Sequence, residues 1–241
     1  MEESLGVSLK LLKNIITIDG PGGVGKGTLA FSLAKKLGWE VLDSGLIYRL
    51  IGFIASEKNL SSSKEIIQTL EKSSIKLITN IDSYSCEINF NNKILGEELR
   101  NEKVAVKASE ISKDANIRSA IIKIQRNAYL EDKGLIADGR DMGTVIFPEA
   151  ALKIFLEASP EIRAERRANQ LKEKGMNVIM HDLLLAIKER DKKDMNRNVS
   201  PLRPAKEAII VDTSKMSIAE VEDKVMEIYN CLLYTSPSPR D

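Results

Sequence analysis

Asp19-Gly20-Pro21-Gly22-Gly23-Val24-Gly25-Lys26-Gly27-Thr28 is the stretch whose reading decides the fold. The apolar run Asn14-Ile15-Ile16-Thr17-Ile18 before it reads as a buried strand. After it, Leu29, Leu33 and Leu37 recur at helical spacing with Ala30 and Ala34. Strand, glycine-rich turn and helix in that order form a phosphate-binding loop, and its G-x-x-x-x-G-K pattern is met by Gly20, Gly25 and Lys26. Glycines remove side-chain bulk, so backbone N–H groups converge on phosphate oxygens, and the helix N-terminus adds partial positive charge. Lys26 then reaches the outer phosphates. The usual Ser/Thr after the lysine is replaced by Gly27, with Thr28 next.

The rest of the composition narrows the class. A chain of 241 residues, 43% hydrophobic and 29% charged, has the make-up of a water-soluble globular protein with a sizeable core. Its net charge of +1 gives no global field toward nucleic acid or membranes, so neither is expected as a partner. The 36 Lys and Arg residues cluster locally, which leaves room for a basic cleft around a small anion. Cys86 and Cys231 match no metal or redox spacing and read as buried small hydrophobes. With no disulfide framework, signal peptide or membrane-length apolar run, the expected compartment is the cytoplasm.

In chain order, Gly38 reads as a helix C-cap and 39–43 as a second strand, ending in Asp43-Ser44-Gly45 and a helix that carries Arg49. Strand and helix after the loop imply a right-handed crossover and a parallel sheet, with ligands beyond the strands' carboxyl ends. Alternation over 75–95, with the turn signal Asn91-Asn92, predicts a small antiparallel sheet inserted in the parallel core. Residues 97–130 are predicted mostly helical. Strands are predicted over 134–138, 152–156 and 208–212, the first closing in Asp138-Gly139-Arg140-Asp141. Asp138 stands where a magnesium-associated carboxylate is usual. Ser159-Pro160 starts a helix with Arg163, Arg166 and Arg167, read as a mobile basic flap over a triphosphate, or else as a solvated face paired with Glu161 and Glu165. Arg190, Asp194 and Arg197 fall at i, i+4 and i+7, on one face of a helix expected to continue through Arg197. His181 reads as a capping or surface residue. A last helix is expected over about 217–231. Residues 232–241 change character to Ser-Pro alternation and read as a disordered tail, with a non-native origin as one explanation.

Taken together, these motifs resemble the bacterial-type cytidylate kinases, phosphate-loop nucleoside monophosphate kinases. The resemblance spans about 14–230 and is most specific in Asp138-Gly139-Arg140-Asp141-Met142-Gly143-Thr144 and in Glu189-Arg190-Asp191 through Arg197. It implies an α/β P-loop NTPase fold: a five-stranded parallel sheet flanked by helices, an antiparallel monophosphate-binding insert at about 46–130, and a helical lid at about 160–180. It implies transfer of the ATP γ-phosphoryl group to CMP or dCMP, with Lys26, Arg140 and Arg190 catalytic. Gly20, Pro21, Gly22, Gly23, Val24, Gly25, Lys26, Gly27, Thr28, Arg163 and Arg167 would hold ATP. Ser44, Arg49, Arg100, Ser109, Arg118, Arg140, Asp141, Arg190, Asp194 and Arg197 would hold the acceptor. Within that set Ser109, Arg118 and Asp141 match cytosine-reading positions and Asp194 a ribose-binding one. Mg²⁺ is expected near Thr28 and Asp138, directly or through water. A monomer is expected. The alternatives are a same-fold kinase for UMP or AMP, and a non-catalytic nucleotide-dependent switch.

Overall fold

The computed structural model describes residues 12–235 except 131 and 174. The chain begins with β1 (Leu12–Asp19), α1 (Lys26–Leu37), β2 (Glu40–Asp43) and α2 (Ser44–Glu57). It continues through α3 (Ser63–Glu71), a hairpin-linked β3 (Ile75–Asn80), β4 (Ser85–Phe90) and β5 (Lys93–Leu95), then α4 (Glu102–Ile111) and α5 (Ala115–Arg126). The last part holds β6 (Leu135–Gly139), a π turn (Met142–Ile146), β7 (Ala150–Glu157), α6 (Pro160–Glu173), α7 (Met180–Met195), β8 (Ile209–Asp212) and α8 (Ile218–Thr235).

Strands β2-β6-β1-β7-β8 form the parallel sheet, with β1 in the middle. That position explains its composition. Ile15, Ile16, Thr17 and Ile18 are all fully buried, because helices cover both faces of a parallel sheet. Each such isoleucine contributes about 1.5–3 kcal/mol through burial. Since every strand runs the same way, Asp19, Asp43, Gly139, Glu157 and Asp212 all end at one edge. The phosphate-loop sequence, the Arg140-Asp141 turn and the Thr213 turn therefore meet there.

The antiparallel sheet β3-β4-β5 lies beside β2, an edge strand. Thr79 on β3 accepts from the Val41 N–H at 3.1 Å and donates to the Val41 carbonyl at 3.2 Å, so one hydroxyl caps part of that edge. Helices α4 and α2 cross at Gly52, where a Cβ would lie 2.9 Å from the Ala108 nitrogen and 3.0 Å from the Val104 carbonyl oxygen. This close approach ties Ser109, the next residue, to the core. The segment 97–130, predicted mostly helical, comprises a 3₁₀ turn at Glu97–Arg100 followed by α4 and α5, started by Asn101 and Asp114 caps.

Three expectations change. Helix α7 stops at Met195, so Arg197 lies beyond its end and reaches the site from the following turn. Cys86 is buried as expected, but Cys231 is exposed, because α8 turns that face outward. Helix α8 runs through Thr235, so residues 232–235 continue the helix instead of opening the tail; the rest of the expected tail lies outside the described residues.

Gly134, just before β6, faces the ring of Trp39, which packs edge-on against Tyr229 at 5.5 Å between centroids. A Cβ at 134 would run into that ring. Gly134→Ala should lower stability by about 1–3 kcal/mol through overpacking. Urea unfolding followed by the fluorescence of Trp39, the single tryptophan, should show a lower midpoint with an unchanged slope.

Candidate active site

The loop after β1 is held in shape by side chains that seize its carbonyls. Lys26 Nζ donates to the Pro21 carbonyl at 3.0 Å, Arg140 Nη1 to Gly20 at 3.0 Å, and Arg163 Nη1 to Gly22 at 3.1 Å. Arg166 and Thr213 both reach the Val24 carbonyl at 3.4 Å. With these carbonyls turned away and occupied, the loop's N–H groups are left for an anion. Gly20 takes φ +149°, and a side chain there would run into the Leu156 carbonyl of β7, so only glycine fits.

Cations crowd the loop. A Cβ on Gly22 would lie 3.4 Å from Arg140 Nη2 and 3.8 Å from Arg190 Cζ, which places both guanidiniums over the loop crest. Burial lowers the pKa of Lys26, and the like charge of Arg140 lowers it further. Lys26 Nζ is 3.9 Å from Asp138 Oδ1. Burial raises the Asp138 pKa, with Lys26 pulling the other way.

On the acceptor side, Arg140 Nε donates to Asp194 Oδ2 at 2.7 Å and Arg197 Nη2 to Asp194 Oδ1 at 2.8 Å. Burial opposes ionisation of Asp194, but Arg140, Arg197 and Arg190 hold its carboxyl below the usual range. Two guanidiniums thus bond one carboxylate, and a third, Arg190, acts on it through charge. Beneath them, Arg118 and Asp141 form a buried ion pair, and Arg118 also donates to the Ser112 carbonyl at 3.2 Å and lies 5.5 Å from the Tyr48 ring centre. Ser109 lines a groove of about 560 Å³ with Asp194 and Arg197. Ser44 is buried behind Gly139, where a Cβ would lie 2.9 Å from its hydroxyl oxygen. Arg49 donates to the Leu99 carbonyl at 3.1 Å and feels the charges of Asp43, Arg100, Glu102 and Arg167. Arg100 reaches back to the Cys86 carbonyl at 3.4 Å.

The flap reading needs correction. Arg163 is only 2% exposed: it pairs with Asp191 on α7, donates to the Ala158 carbonyl at 3.0 Å and holds Gly22. It is a fixed brace under the loop, because desolvating a guanidinium demands that its donors be filled. Arg166 is a second brace, through Thr213. Arg167 is exposed, bonds Gln170 at 3.5 Å and is the one flap arginine facing solvent. Glu161 pairs with Lys188, not with these arginines. Asp191 and Thr213 were missed as site-forming groups, although Asp191 stands inside the quoted Glu189-Arg190-Asp191 motif, and Arg166 was named only as part of the flap. His181 is exposed, as predicted.

Asp19 is a further group the spacing did not single out. Its Oδ1 accepts the Met142 N–H and its Oδ2 the Gly143 N–H, both at 2.8 Å. Burial pushes its carboxyl up to about 7, although those two amides and Lys26 favour the charged form.

Among the described residues, no group of three or more His, Cys, Asp or Glu side chains is arranged to hold a metal ion. A Cβ on Gly27 would lie 3.5 Å from Asp138 Oδ2, and Thr28 is exposed beside it. One carboxylate and one hydroxyl suit Mg²⁺, which keeps several waters and takes phosphate oxygens, so the donor set fits that ion.

The depressed pKa of Asp194 makes a pH prediction. Its ion pairs stabilise the fold above the unfolded-state aspartate pKa and are lost as pH falls through the folded-state value. Asp194→Asn should have a lower Tm than the wild type at neutral pH. Thermal scans should show that gap closing as pH drops below about 4.

Comparisons with known proteins agree with this geometry. The family model described as cytidylate kinase matches residues 16–231. A cytidylate kinase from Dichelobacter nodosus is 44% identical over 214 residues, covering 89% of this chain and 95% of the relative. Those of Aeromonas hydrophila and Vibrio vulnificus are 44% and 43% identical, covering 86% and 88% of this chain and 90% and 94% of theirs. Among solved structures, a gluconokinase from Sinorhizobium meliloti aligns at a TM-score of 0.42 and 14% identity, over 94% of this chain and 99% of that one, too distant to bear on function. The match extends from β1, through the crowded arginines of the site, into α8, and this chain belongs to the cytidylate kinase family.

Proposed function

We propose that this chain transfers the γ-phosphoryl group of ATP to CMP and dCMP, yielding the diphosphate and ADP. The observation that carries the reading is the surplus of positive charge. Arg140 and Arg197 bond Asp194 and Arg190 acts on it through charge, beside a loop whose Lys26 is disfavoured as a cation by burial and by Arg140. Two anionic nucleotides would supply what the cluster lacks.

In this mechanism an oxygen of the acceptor's phosphate forms a bond to the γ-phosphorus as the bond to the β,γ-bridging oxygen breaks, and ADP leaves with those electrons. The protein does little covalent work; it positions the reactants and stabilises charge. Loop N–H groups and Lys26 hold the donor phosphates. Arg140 lies between Gly20 and Asp194, so it can follow charge moving from donor to acceptor. Arg190, Arg197 and Arg49 hold the acceptor phosphate, and Arg167, at the rim, is the arginine free to close over the triphosphate. Ser109, Arg118 and Asp141 read cytosine, the carboxylate suiting its amino group and the guanidinium its ring carbonyl. Asp194 takes the ribose. Asp138 and Thr28 would hold Mg²⁺, directly or through water, and the ion would neutralise charge on the donor phosphates. We place this activity in the cytoplasm, in a monomeric protein. No helix among the described residues is long and apolar enough to cross a membrane.

An ADP-release assay across CMP, dCMP, UMP and AMP tests the reading. CMP and dCMP should be used far better than AMP; preference for AMP or UMP assigns another acceptor, and ATP binding without transfer to any of them assigns a switch. Within the acceptor side, Arg197→Ala should raise KM for CMP by about ten- to a hundredfold, the worth of a charged hydrogen bond, and leave ATP binding within about twofold. Isothermal titration with ATP and initial-rate kinetics with CMP separate the two effects.

A further inference from the structure

The π turn Met142–Ile146 begins with donors that no preceding turn can satisfy. Asp141 stands in the N-cap position, and an aspartate there normally accepts those N–H groups itself. It does not: its side chain makes no cap bond, and its carboxylate pairs instead with Arg118. The two orphan amides, Met142 and Gly143, are taken by Asp19, which lies 123 and 124 residues away in sequence.

We infer that Asp19 is a positioning residue for acceptor-base recognition: by capping the π turn from β1, it frees the Asp141 carboxylate to stay with Arg118. The inference rests on the reading that Asp141 and Arg118 face the acceptor base.

Close packing supports it. A Cβ on Gly143 would lie 2.9 Å from Thr17 Oγ1 on β1, and one on Gly139 would lie 2.8 Å from Met142. The turn therefore sits directly on β1, within reach of a short aspartate. At its far end the turn is fastened to the insert: Arg126 on α5 bonds the Ile146 carbonyl and Glu149. Asp19 and α5 hold the turn from opposite ends, and Asp141 stands immediately before the end that Asp19 holds. The phosphate loop does not need Asp19 in this way, since its carbonyls are braced by Lys26, Arg140, Arg163, Arg166 and Thr213.

Without Asp19, Asp141 stands in the N-cap position from which a carboxylate accepts the Gly143 N–H. Rotating back to cap it would take the carboxylate away from Arg118. Asp19→Ala removes both acceptor oxygens, while Asp19→Asn keeps one oxygen and sets an NH₂ group against the second amide. Both variants should raise KM for CMP, Asp19→Ala by about tenfold or more, with KM for ATP within about twofold, and both should reduce the CMP-over-UMP preference. A structure of Asp19→Ala should show Asp141 turned from Arg118 onto the Gly143 N–H. An equal rise in both KM values, or an unchanged Asp141–Arg118 pair in the variant, overturns the inference. Hydrogen exchange on the wild type gives a reading independent of any variant's folding: the Met142 and Gly143 amides should be strongly protected, and rapid exchange of either refutes the cap. If Asp141→Ala leaves CMP-over-UMP preference intact, the base-reading assignment has failed; the exchange and structural readouts still judge the cap itself.

Discussion

Like charges held at one sheet edge are the constraint on which the rest of the structure depends. Lys26, Arg140, Arg190 and Arg197 converge near one another, and Lys26, whose pKa burial lowers, is lowered further by the like charges of Arg140 and Arg190. Three devices keep them there. Asp194 and Asp138 supply opposing charge, backbone carbonyls accept several of the cationic N–H groups, and the ends of β1 and β6 with helix α7 fix where the residues emerge. None of these neutralises the cluster fully, which is why an anion fits it. A site built to be incomplete stores its attraction for substrate in the free protein and releases it on binding.

The same logic separates braces from ligands. Arg163 and Arg166 resemble Arg167 in sequence, yet two are consumed in holding the loop and one faces solvent. On a helix, residues 163 and 167 share a face, so spacing alone cannot tell them apart. The partners decide, and Asp191 and Thr213 come from α7 and the turn after β8. The buried guanidinium of Arg163 has Nε, Nη1 and Nη2 all bonded to Ala158, Gly22 and Asp191, whereas Arg118 keeps a buried Nε–H without a protein partner.

Much of the fold was legible. Continuous apolar runs marked the five parallel strands, alternation marked the antiparallel insert, and Gly38, Ser159 and Pro160 marked helix ends; the structure places all of them within a few residues of the reading. The ligand-facing edge followed from parallel topology alone. Less legible were the π turn, since one extra residue per turn leaves no periodic trace, and the end of α7 at Met195, where no glycine or proline announces a stop. Asp19 was visible as an acidic residue closing a strand, just as Asp138 is, but nothing local distinguishes their roles. One carboxylate faces Lys26 and the other caps a turn.

By itself, then, the sequence determined the architecture, the position of the phosphate loop and the set of charged residues around it, because those depend on short-range patterns: strand periodicity, glycine spacing and strand-to-turn boundaries. Tertiary structure alone decided which of those charges are committed and which are available. That assignment depends on pairs far apart in the chain, such as Arg118 with Asp141, Arg140 with Asp194, Arg163 with Asp191 and Asp19 with Met142. In each pair one partner's burial makes the other necessary, and burial is a property of the packed molecule, not of any single stretch.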